Sequence, residues 1–478
     1  MKRFFYLIPF LLFVACSQPP KDAEVIVTGA DLSQIEIRHS LEDVYIWDMK
    51  LDTLYPNEKN QFIFKKAITK PEFLTVKIGS KRWKSILVPG GKIEISYDKP
   101  AVRFQGQDSA AMIALNEFPR PSWSFSETQS YQATTTAAQL IKRINTEKEK
   151  ELQTIQQMKI DRLIDEVMEK VLLDEVHYFY ALRTHQVILS KQNSQKPIND
   201  DLLQLYEETL LQNPIENDYK PSSWIEYAET NIVQKAKYDL LASGALTMDS
   251  VQAMYGKDEL IPFDYGLIQQ YPHEATAEKM AARLIMDATK QNRFEKSLPV
   301  TFGKFQERYP ESPYTPFLQP QIDVIVNYHE VISGAMPDDI QFMDGQNIAT
   351  LEQLLSQLKG EKYFIDMWAT WCGPCKREFA HNEALNQLLA SKNYKKLYIS
   401  IDKKNKEEKW QQDIKYYNLE GLHMLASEDF FVHFADTHTK SKGYLTIPQY
   451  LIIDEGGNIV TKHAPKPSEM EELAKVLN

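Results

Sequence analysis

The stretch YFIDMWATWCGPCKREF, residues 363–379, constrains the fold of this 478-residue chain more than any other part of it. Its apolar start, residues 363–368, predicts a short buried strand. Beyond the second cysteine, leucines recur at the spacing of a helix face. Cys372 and Cys375 therefore lie where a strand passes into a helix, with a tight turn between the two elements.

A pair of cysteines in this position suits reversible disulfide chemistry. The free N–H groups at the start of a helix stabilise a thiolate, and the three-residue spacing lets the sulfur of Cys375 reach that of Cys372. Two alternatives compete with this interpretation. A structural zinc site needs about four ligands, and His381 and His423 do not have the spacing of its second half. A purely structural disulfide would close a loop too short to stabilise the chain much.

The pentapeptide WCGPC, with Asp366 six residues before the first cysteine, resembles the active site of the thioredoxin superfamily. The wider pattern, ATWCGPCKREF followed by ISID and IPQYLIIDEGGNIV, resembles the TlpA/ResA-like thiol–disulfide reductases of the bacterial cell envelope. The resemblance covers about the last third of the chain and implies an α/β thioredoxin fold over residues 334–478. It also implies an enzyme, a thiol–disulfide oxidoreductase.

The resemblance implies a role for each residue of the dithiol. Cys372 is the attacking thiol, expected to be exposed at the helix N-terminus, and Cys375 is the resolving thiol, shielded one turn further in. Together they are the redox-active disulfide. Asp366 is expected to be a buried acid that assists Cys375, because burial raises the pKa of a carboxyl and lets it pass a proton near neutral pH.

The same resemblance places a client-binding groove around the dithiol. Its residues are Trp371 at the rim, Gly373 and Pro374 between the cysteines, and Ile447 and Pro448 of a cis-proline loop. A cis bond there exposes the preceding backbone, so that a client strand can pair with it. Gly373 and Pro374 place no charge beside Cys372. This predicts a thioredoxin-like potential, on the order of −270 mV against about −120 mV for a strong oxidant, and hence reduction of the client.

Two residues depart from the family pattern. Ala380 stands where the family usually has a helix proline, so the usual kink is expected to be missing. Leu445 and Thr446 replace the glycine that commonly precedes the cis-proline loop, which is expected to alter the width of the groove.

Local signals place further elements between residues 334 and 478. They predict strands at 340–343, 397–401 and 422–425, and a closing hairpin made of 450–453 and 458–462. Thr350 with Gln353, and Ser468 with Glu471, have the spacing of capping boxes that open helices.

The N-terminus has the pattern of an export signal over residues 1–15. Lys2 and Arg3 precede an apolar stretch that is too short to span a membrane. Its end resembles a bacterial lipoprotein box, which implies lipid attachment at Cys16 and a tether over residues 16–23. An ordinary signal peptide with an incidental cysteine is the alternative. The chain is therefore expected to face the periplasm from a lipid anchor in a bacterial membrane.

Residues 24–108 alternate apolar and polar side chains, which predicts an antiparallel all-β domain of sandwich or open-barrel type. The sequence PGGK at 89–92 predicts a hairpin between the strands on either side of it. Trp47 and Trp83 are expected to pack in the core of this domain.

Residues 109–333 change to helical periodicity and predict a central all-α region. The predicted helices are 136–170, 173–190, 199–213, 221–243, 275–292 and 318–332. His177 and His185 are expected to be structural rather than metal ligands. The whole chain is thus expected to be multidomain, with a β-domain, a helical region and a C-terminal α/β domain.

The composition of the chain limits the classes of molecule that it is expected to bind. The net charge is −11 and no basic stripe is present, which argues against nucleic acid. The sequence has no nucleotide fingerprint, so no cofactor is expected. No metal is expected either, because the dithiol lacks the further ligands of a structural zinc site. Electrons must then come from a membrane-embedded donor, and the expected substrates are disulfide-bearing client proteins.

Three other functions remain on the same residues: a disulfide oxidase or isomerase, a peroxidase of the peroxiredoxin type, and a non-catalytic lipid-anchored adaptor. Thr370 does not have the Thr-x-x-Cys spacing of a peroxidatic cysteine, which disfavours the peroxidase. The intact pair Cys372 and Cys375 disfavours the adaptor.

Overall fold

The computed structural model describes residues 19–29, 32–46, 50–99, 101–118, 120, 136–190, 198–291, 294–438 and 445–477. The expected export signal, Cys16 and Trp47 lie outside these residues. The chain divides into two compact units, one ending at Ile322 and the other starting at Asp323. No helix in the described ranges has both the length and the hydropathy needed to cross a membrane.

The first unit begins with strands. They are β1 (Lys21–Gly29), β2 (Ile35–His39), β3 (Leu51–Leu54), β4 (Gln61–Ile68), β5 (Glu72–Ile78), β6 (Lys81–Leu87), β7 (Lys92–Asp98) and β8 (Ala101–Gln105). They form two four-stranded sheets, ordered β4-β1-β7-β8 and β3-β2-β5-β6. Alternate side chains of both sheets, such as Val25, Ile37 and Val76, pack in a common core, because successive side chains of a strand point to opposite faces.

Two predictions for this region are wrong. The turn at 89–92 joins β6 to β7, but these strands belong to different sheets and form no hairpin. In addition, β7 runs parallel to β1, with Val25 opposite Ile93, so that sheet is mixed rather than antiparallel. Alternation and turn residues predict a strand and a tight turn, here closed by the Gly91 N–H to the Val88 carbonyl at 2.8 Å. They do not specify which strands pair.

Helices follow. They are α1 (Ser109–Glu117), α2 (Ala137–Ile160), α3 (Glu166–Ser190), α4 (Asp200–Gln212), α5 (Trp224–Glu229), α6 (Lys235–Ala242), α7 (Met248–Gly256), α8 (Leu260–Ile268), α9 (Glu274–Lys290), α10 (Ser297–Arg308) and α11 (Thr315–Ser333). A π-helical turn, Thr230–Gln234, joins α5 to α6. The predicted helix 136–170 is interrupted after Ile160, where Arg162 adopts a positive φ of 56°.

The strands and the first helices share one core. Met112 of α1 and Leu172 of α3 pack in the same cluster as the strand side chains, and Trp83 packs against it while partly buried. The change from strands to helices near residue 108 is therefore not a border between two separate cores.

Further along, His185 is fully buried and its Nε2 donates to the Tyr206 carbonyl at 3.1 Å.

The second unit contains alternating strands and helices. They are β9 (Ile340–Met343), α12 (Leu351–Gln357), β10 (Lys362–Trp368), α13 (Gly373–Glu378), α14 (Asn382–Ser391), β11 (Tyr394–Ser400), α15 (Glu407–Tyr416), β12 (Gly421–Leu425), α16 (Glu428–His438), β13 (Gln449–Ile453), β14 (Ile459–Thr461) and α17 (Met470–Val476). The strands form one mixed sheet, ordered β14-β13-β10-β11-β12-β9. The predicted capping box of Thr350 and Gln353 is confirmed at the start of α12.

Strand β10 lies inside this sheet, between β11, which is parallel to it, and β13, which is antiparallel. Its odd-numbered side chains, including Ile365 and Met367, pack in one core cluster. Phe364 and Trp368 face the other side, and Trp368 shares a cluster with both cysteines. The period of two along β10 thus places the dithiol helix on the face that also carries Asp366.

Two predictions for the second unit are wrong. A 3₁₀ turn, Phe379–His381, separates α13 from α14 even though Ala380 is not a proline. At this break the buried Phe379 ring packs edge-on against the Trp368 ring, with 5.3 Å between the ring centroids. Ser468 does not cap α17. Its N–H and hydroxyl donate instead to the Glu378 carboxylate, at 2.8 and 3.1 Å.

Candidate active site

The turn between β10 and α13 presents the two cysteines. Strand β10 is buried along nearly all its length and ends at Trp368. The Cys372 N–H donates to the Ala369 carbonyl at 3.0 Å, which closes the turn. Cys372 is the N-cap of α13, and Pro374 lies in its first turn, where a missing N–H costs nothing.

Cys372 and Cys375 are joined by a disulfide. The Cys375 N–H donates to the Cys372 sulfur at 3.2 Å, and such a bond favours a thiolate on that sulfur. Cys375 is fully buried, but Cys372 is also only 3% exposed. The expectation of an exposed Cys372 is therefore wrong. Its sulfur turns inward to Cys375 and packs in the cluster of Trp368 and Phe379.

Asp366 is buried on β10, six residues before the first cysteine. It lies opposite Tyr398 of β11 and Tyr450 of β13. The residue is 3% exposed, and within the described part of the chain its Oδ1 has no hydrogen-bond partner. Burial raises the pKa of Asp366 to about 8. The positive charge of Lys396 lowers this pKa in part, and the negative charge of Glu378 raises it further. The acid can therefore hold or release a proton close to neutral pH.

Two charged neighbours of Asp366 were not identified from the sequence. Lys396 lies on β11, and its Nζ donates to the Tyr398 hydroxyl at 3.3 Å. Burial lowers the pKa of Lys396 to about 8, while Glu420 and Asp366 oppose the decrease. Glu378 lies three residues after Cys375. The sequence signal that could have identified Lys396 is the period of two along β11, which puts Lys396 and Tyr398 on one face.

Asp402 is a third residue that sequence reasoning missed. Its buried carboxylate accepts from the Thr370 N–H at 2.7 Å, from the Thr370 hydroxyl at 2.8 Å and from the Ser400 hydroxyl at 2.7 Å. Asp402 follows β11, whose last pair in the parallel ladder joins Ser400 to Trp368. Parallel strands end at the same edge of a sheet, so a polar residue just after β11 was a usable signal.

The loop expected to face the dithiol does so in part. The Ile447–Pro448 peptide bond is cis, as the resemblance implied. Ile447 is partly buried against the cluster that contains both cysteines. Trp371 is 67% exposed, and Pro374 is exposed as well. A Cβ added to Gly373 would meet only an Arg377 nitrogen, at 3.8 Å.

Metal binding has no support at this site. Across the described residues, no three or more His, Cys, Asp and Glu side chains are grouped to hold a metal ion. His423 is fully buried, and its Nε2 donates to the Leu419 carbonyl at 2.6 Å. His381 is exposed.

Comparison with known proteins identifies this unit. The Redoxin family profile matches residues 339–477. The C-terminal domain belongs to the thioredoxin superfamily. The matched residues of this thioredoxin-like domain include the dithiol turn, Asp366 and the cis-proline loop. They identify it as the domain of a thiol–disulfide oxidoreductase.

Two curated relatives match the thioredoxin-like domain. The thiol:disulfide interchange protein DsbD of Actinobacillus pleuropneumoniae is 26% identical over 121 residues, which are 25% of this chain and 20% of the relative. The chain thus spans only one fifth of the length of DsbD. The thiol-disulfide oxidoreductase ResA of Halalkalibacterium halodurans is 26% identical over 140 residues, 29% of this chain and 72% of ResA.

A similar solved structure comes from Bacteroides vulgatus, a crystal structure described as that of a thiol-disulfide oxidoreductase. It is 31% identical, with 26% of this chain and 83% of that chain covered and a TM-score of 0.21.

Proposed function

We propose that the protein is a thiol–disulfide reductase of disulfide-bearing client proteins in the bacterial cell envelope. The observation that best supports this is the Cys372–Cys375 disulfide at the strand-to-helix turn, on the same sheet face as the buried Asp366. The reductase direction is supported by Gly373 and Pro374, which place no charged side chain between the two sulfurs.

The proposed cycle consists of two exchanges. The Cys372 thiolate attacks one sulfur of a client disulfide, forms a mixed disulfide with it and releases the other client sulfur as a thiolate. Cys375 then gives its proton to the ionised Asp366 and attacks the Cys372 sulfur. The mixed disulfide breaks, and the second client thiolate leaves. Two electrons pass to the client, and the Cys372–Cys375 disulfide remains in the protein.

The oxidised domain must be reduced again before another turnover. A dithiol donor embedded in the membrane is the proposed source of the two electrons, and it becomes a disulfide as Cys372 and Cys375 become thiols. This step is the same exchange in the opposite direction.

The proposed client groove consists of Trp371, Gly373, Pro374, Ile447 and Pro448. Trp371 offers an exposed aromatic surface next to the buried Cys372, and aromatic side chains are favoured at binding surfaces. The absence of a side chain at Gly373 keeps the approach to the sulfurs open. A client strand is proposed to pair with the backbone just before Pro448.

A lipid on Cys16 is the proposed attachment to the membrane, supported by the lipoprotein-like end of the export signal. Metabolic labelling with a fatty acid tests it. The wild-type chain should carry the label and a Cys16→Ala variant should not. Label that persists in the variant would exclude Cys16 as the attachment site.

The redox state of the dithiol in growing cells tests the proposed function. Acid quenching followed by thiol alkylation should find Cys372 and Cys375 mostly reduced, because an upstream donor keeps a reductase charged. The Cys372→Ser/Cys375→Ser double variant supplies the background of the method. A mostly oxidised pair would contradict the reductase direction and favour a disulfide oxidase.

A further inference from the structure

A buried carboxylate binds the cation that directly follows the dithiol. Lys376 comes immediately after Cys375, and its side chain is only 7% exposed. Its Nζ lies 2.9 Å from Oδ2 of Asp413 on α15, whose side chain is completely buried. Charges that are shielded from water act strongly on their surroundings. The charge of Lys376 is therefore compensated inside the protein rather than by solvent.

Two more groups contact the same carboxylate. The Lys409 Nζ lies 2.6 Å from Asp413 Oδ1, and the Tyr328 hydroxyl donates to that oxygen at 3.1 Å. Lys409 also lies over the Tyr328 ring, 4.4 Å from its centroid. Tyr328 belongs to α11, Lys409 to α15 and Lys376 to α13. Asp413 is thus held by side chains of three helices, and its position relative to α13 is defined.

The charge next to a dithiol affects its potential. A nearby cation stabilises the thiolate of the reduced form, and stabilising the reduced form makes the disulfide a stronger oxidant. A carboxylate bound to that cation offsets part of the effect, and Asp413 shares its charge between Lys376 and Lys409. Lys376 follows Cys375 in sequence, and Trp410 and Ile414 of α15 pack in the same core cluster as both cysteines. A reductase needs the opposite of a strong oxidant, so an uncompensated Lys376 would work against the proposed direction of electron flow.

We propose that the Lys376–Asp413 ion pair sets the reduction potential of the Cys372–Cys375 couple, with Asp413 as a positioning residue that acts through Lys376. The inference rests on the proposed function, because it concerns the same dithiol. The proposal adds Asp413 of α15 to Gly373 and Pro374 as a determinant of the reduction potential.

The measurement is the equilibrium of the purified full chain with glutathione, in detergent. The protein disulfide and two glutathione thiols exchange with the protein dithiol and one glutathione disulfide, so sulfur bonds, protons and electrons balance. Quenching, alkylation and mass spectrometry of the peptide that contains Cys372 and Cys375 give the reduced fraction.

Two variants should shift this equilibrium in opposite directions. Asp413→Asn keeps an oxygen that can accept from Tyr328 but removes the negative charge. Its equilibrium should move about threefold toward the dithiol, or about 14 mV at 29.6 mV per tenfold. Lys376→Gln removes the positive charge, and its equilibrium should move about threefold toward the disulfide.

Two further variants separate electrostatics from structural damage. The double variant Lys376→Gln/Asp413→Asn has no charge at either position and should return to within about 1.5-fold of the wild type. Lys395→Gln removes the same charge from a pair with Glu361, at 2.7 Å, in which both side chains are about half exposed. It should leave the equilibrium unchanged. Thermal unfolding shows whether each variant is folded.

Opposite shifts that cancel in the double variant would support the inference, since loosened packing has no reason to give opposite signs. Single variants that leave the equilibrium unchanged, or shift it in the same direction, would overturn it while the proposed function stands. A wild-type dithiol that does not exchange with glutathione at all would overturn the proposed function, and this inference with it.

Discussion

The carboxylate of Asp402 accepts two hydrogen bonds from Thr370, one from its N–H at 2.7 Å and one from its hydroxyl at 2.8 Å. Thr370 lies two residues before Cys372, and Asp402 is 4% exposed. Hydrogen bonds to a buried charged group are among the stronger ones in proteins. The end of β11 therefore fixes the loop that leads into the dithiol.

Replacing Asp402 by Ala should loosen this loop. The Thr370 N–H and the two hydroxyls lose their acceptor, and the free energy of unfolding should fall by about 2–3 kcal/mol. Reduction of a protein disulfide, such as those of insulin, should slow several-fold because Trp371 and Cys372 are no longer held. Thr370→Val removes only the hydroxyl bond and should cost about 1 kcal/mol. Equal losses in the two variants would contradict this role.

The stability of the second unit should depend on pH through Asp366. The unfolded carboxyl ionises near its ordinary pKa of 3.8, whereas burial raises the pKa in the fold to about 8. Between these values the folded state binds one more proton than the unfolded state. Stability should therefore decrease as pH rises, by up to about 1.4 kcal/mol per unit, and the decrease should end above about pH 8.

Asp366→Asn should remove this dependence and increase the free energy of unfolding most at the upper end of the window. Denaturant unfolding at pH 5, 6 and 7 measures it. The pKa of the facing Lys396 is lowered to about 8. Lys396 therefore adds a pH-dependent contribution to the free energy of unfolding only above about pH 8, outside the range from pH 5 to 7. Asp436→Asn changes an exposed aspartate and is the control. An unchanged slope in Asp366→Asn would contradict the prediction.

The two cysteines should behave differently when replaced singly. In Cys375→Ser the remaining Cys372 thiolate still attacks client disulfides, but nothing resolves the mixed disulfide, so bound clients should accumulate. In Cys372→Ser the remaining thiol, Cys375, lies inside α13 rather than at its N-cap and should trap few or none. Non-reducing electrophoresis after acid quenching separates these outcomes. Equal trapping by both variants would show that the assigned order of attack is wrong.

Trp371 should matter for clients and not for folding. Its side chain is 67% exposed, so Trp371→Ala should change the free energy of unfolding by less than about 0.5 kcal/mol. The kcat/KM for a disulfide-bearing protein should fall about tenfold, an effect of about 1.4 kcal/mol. Reduction of the domain by dithiothreitol should be unaffected. Tyr55→Ala, which removes an aromatic ring that is 69% exposed in the first unit, should change neither rate.

The order of elements around the dithiol was predictable because its signals are local. The apolar run before Cys372 produced β10, the capping box of Thr350 and Gln353 produced the start of α12, and the run at 340–343 produced β9. Asp366 was expected to be buried from its place six residues before Cys372 in the motif, and it is. Each of these inferences depends on residues within a few positions of one another, where period and capping chemistry act directly.

The pairing of strands and the environment of the charges came only from the tertiary structure. The turn at 89–92 has the residues of a hairpin, yet it connects two sheets, because pairing depends on distant strands. Cys372 is buried because Trp368 and Phe379 pack around it.

The charged neighbours of the site are separated from it in sequence and were invisible for that reason. Asp402 reaches Thr370 across 32 positions, and Asp413 reaches Lys376 from another helix. The sequence by itself determined which residues can carry the disulfide chemistry, since that depends on their type and spacing. Only the fold decided which charges surround them, because an ion pair acts through distance and burial, and both are properties of the packed chain.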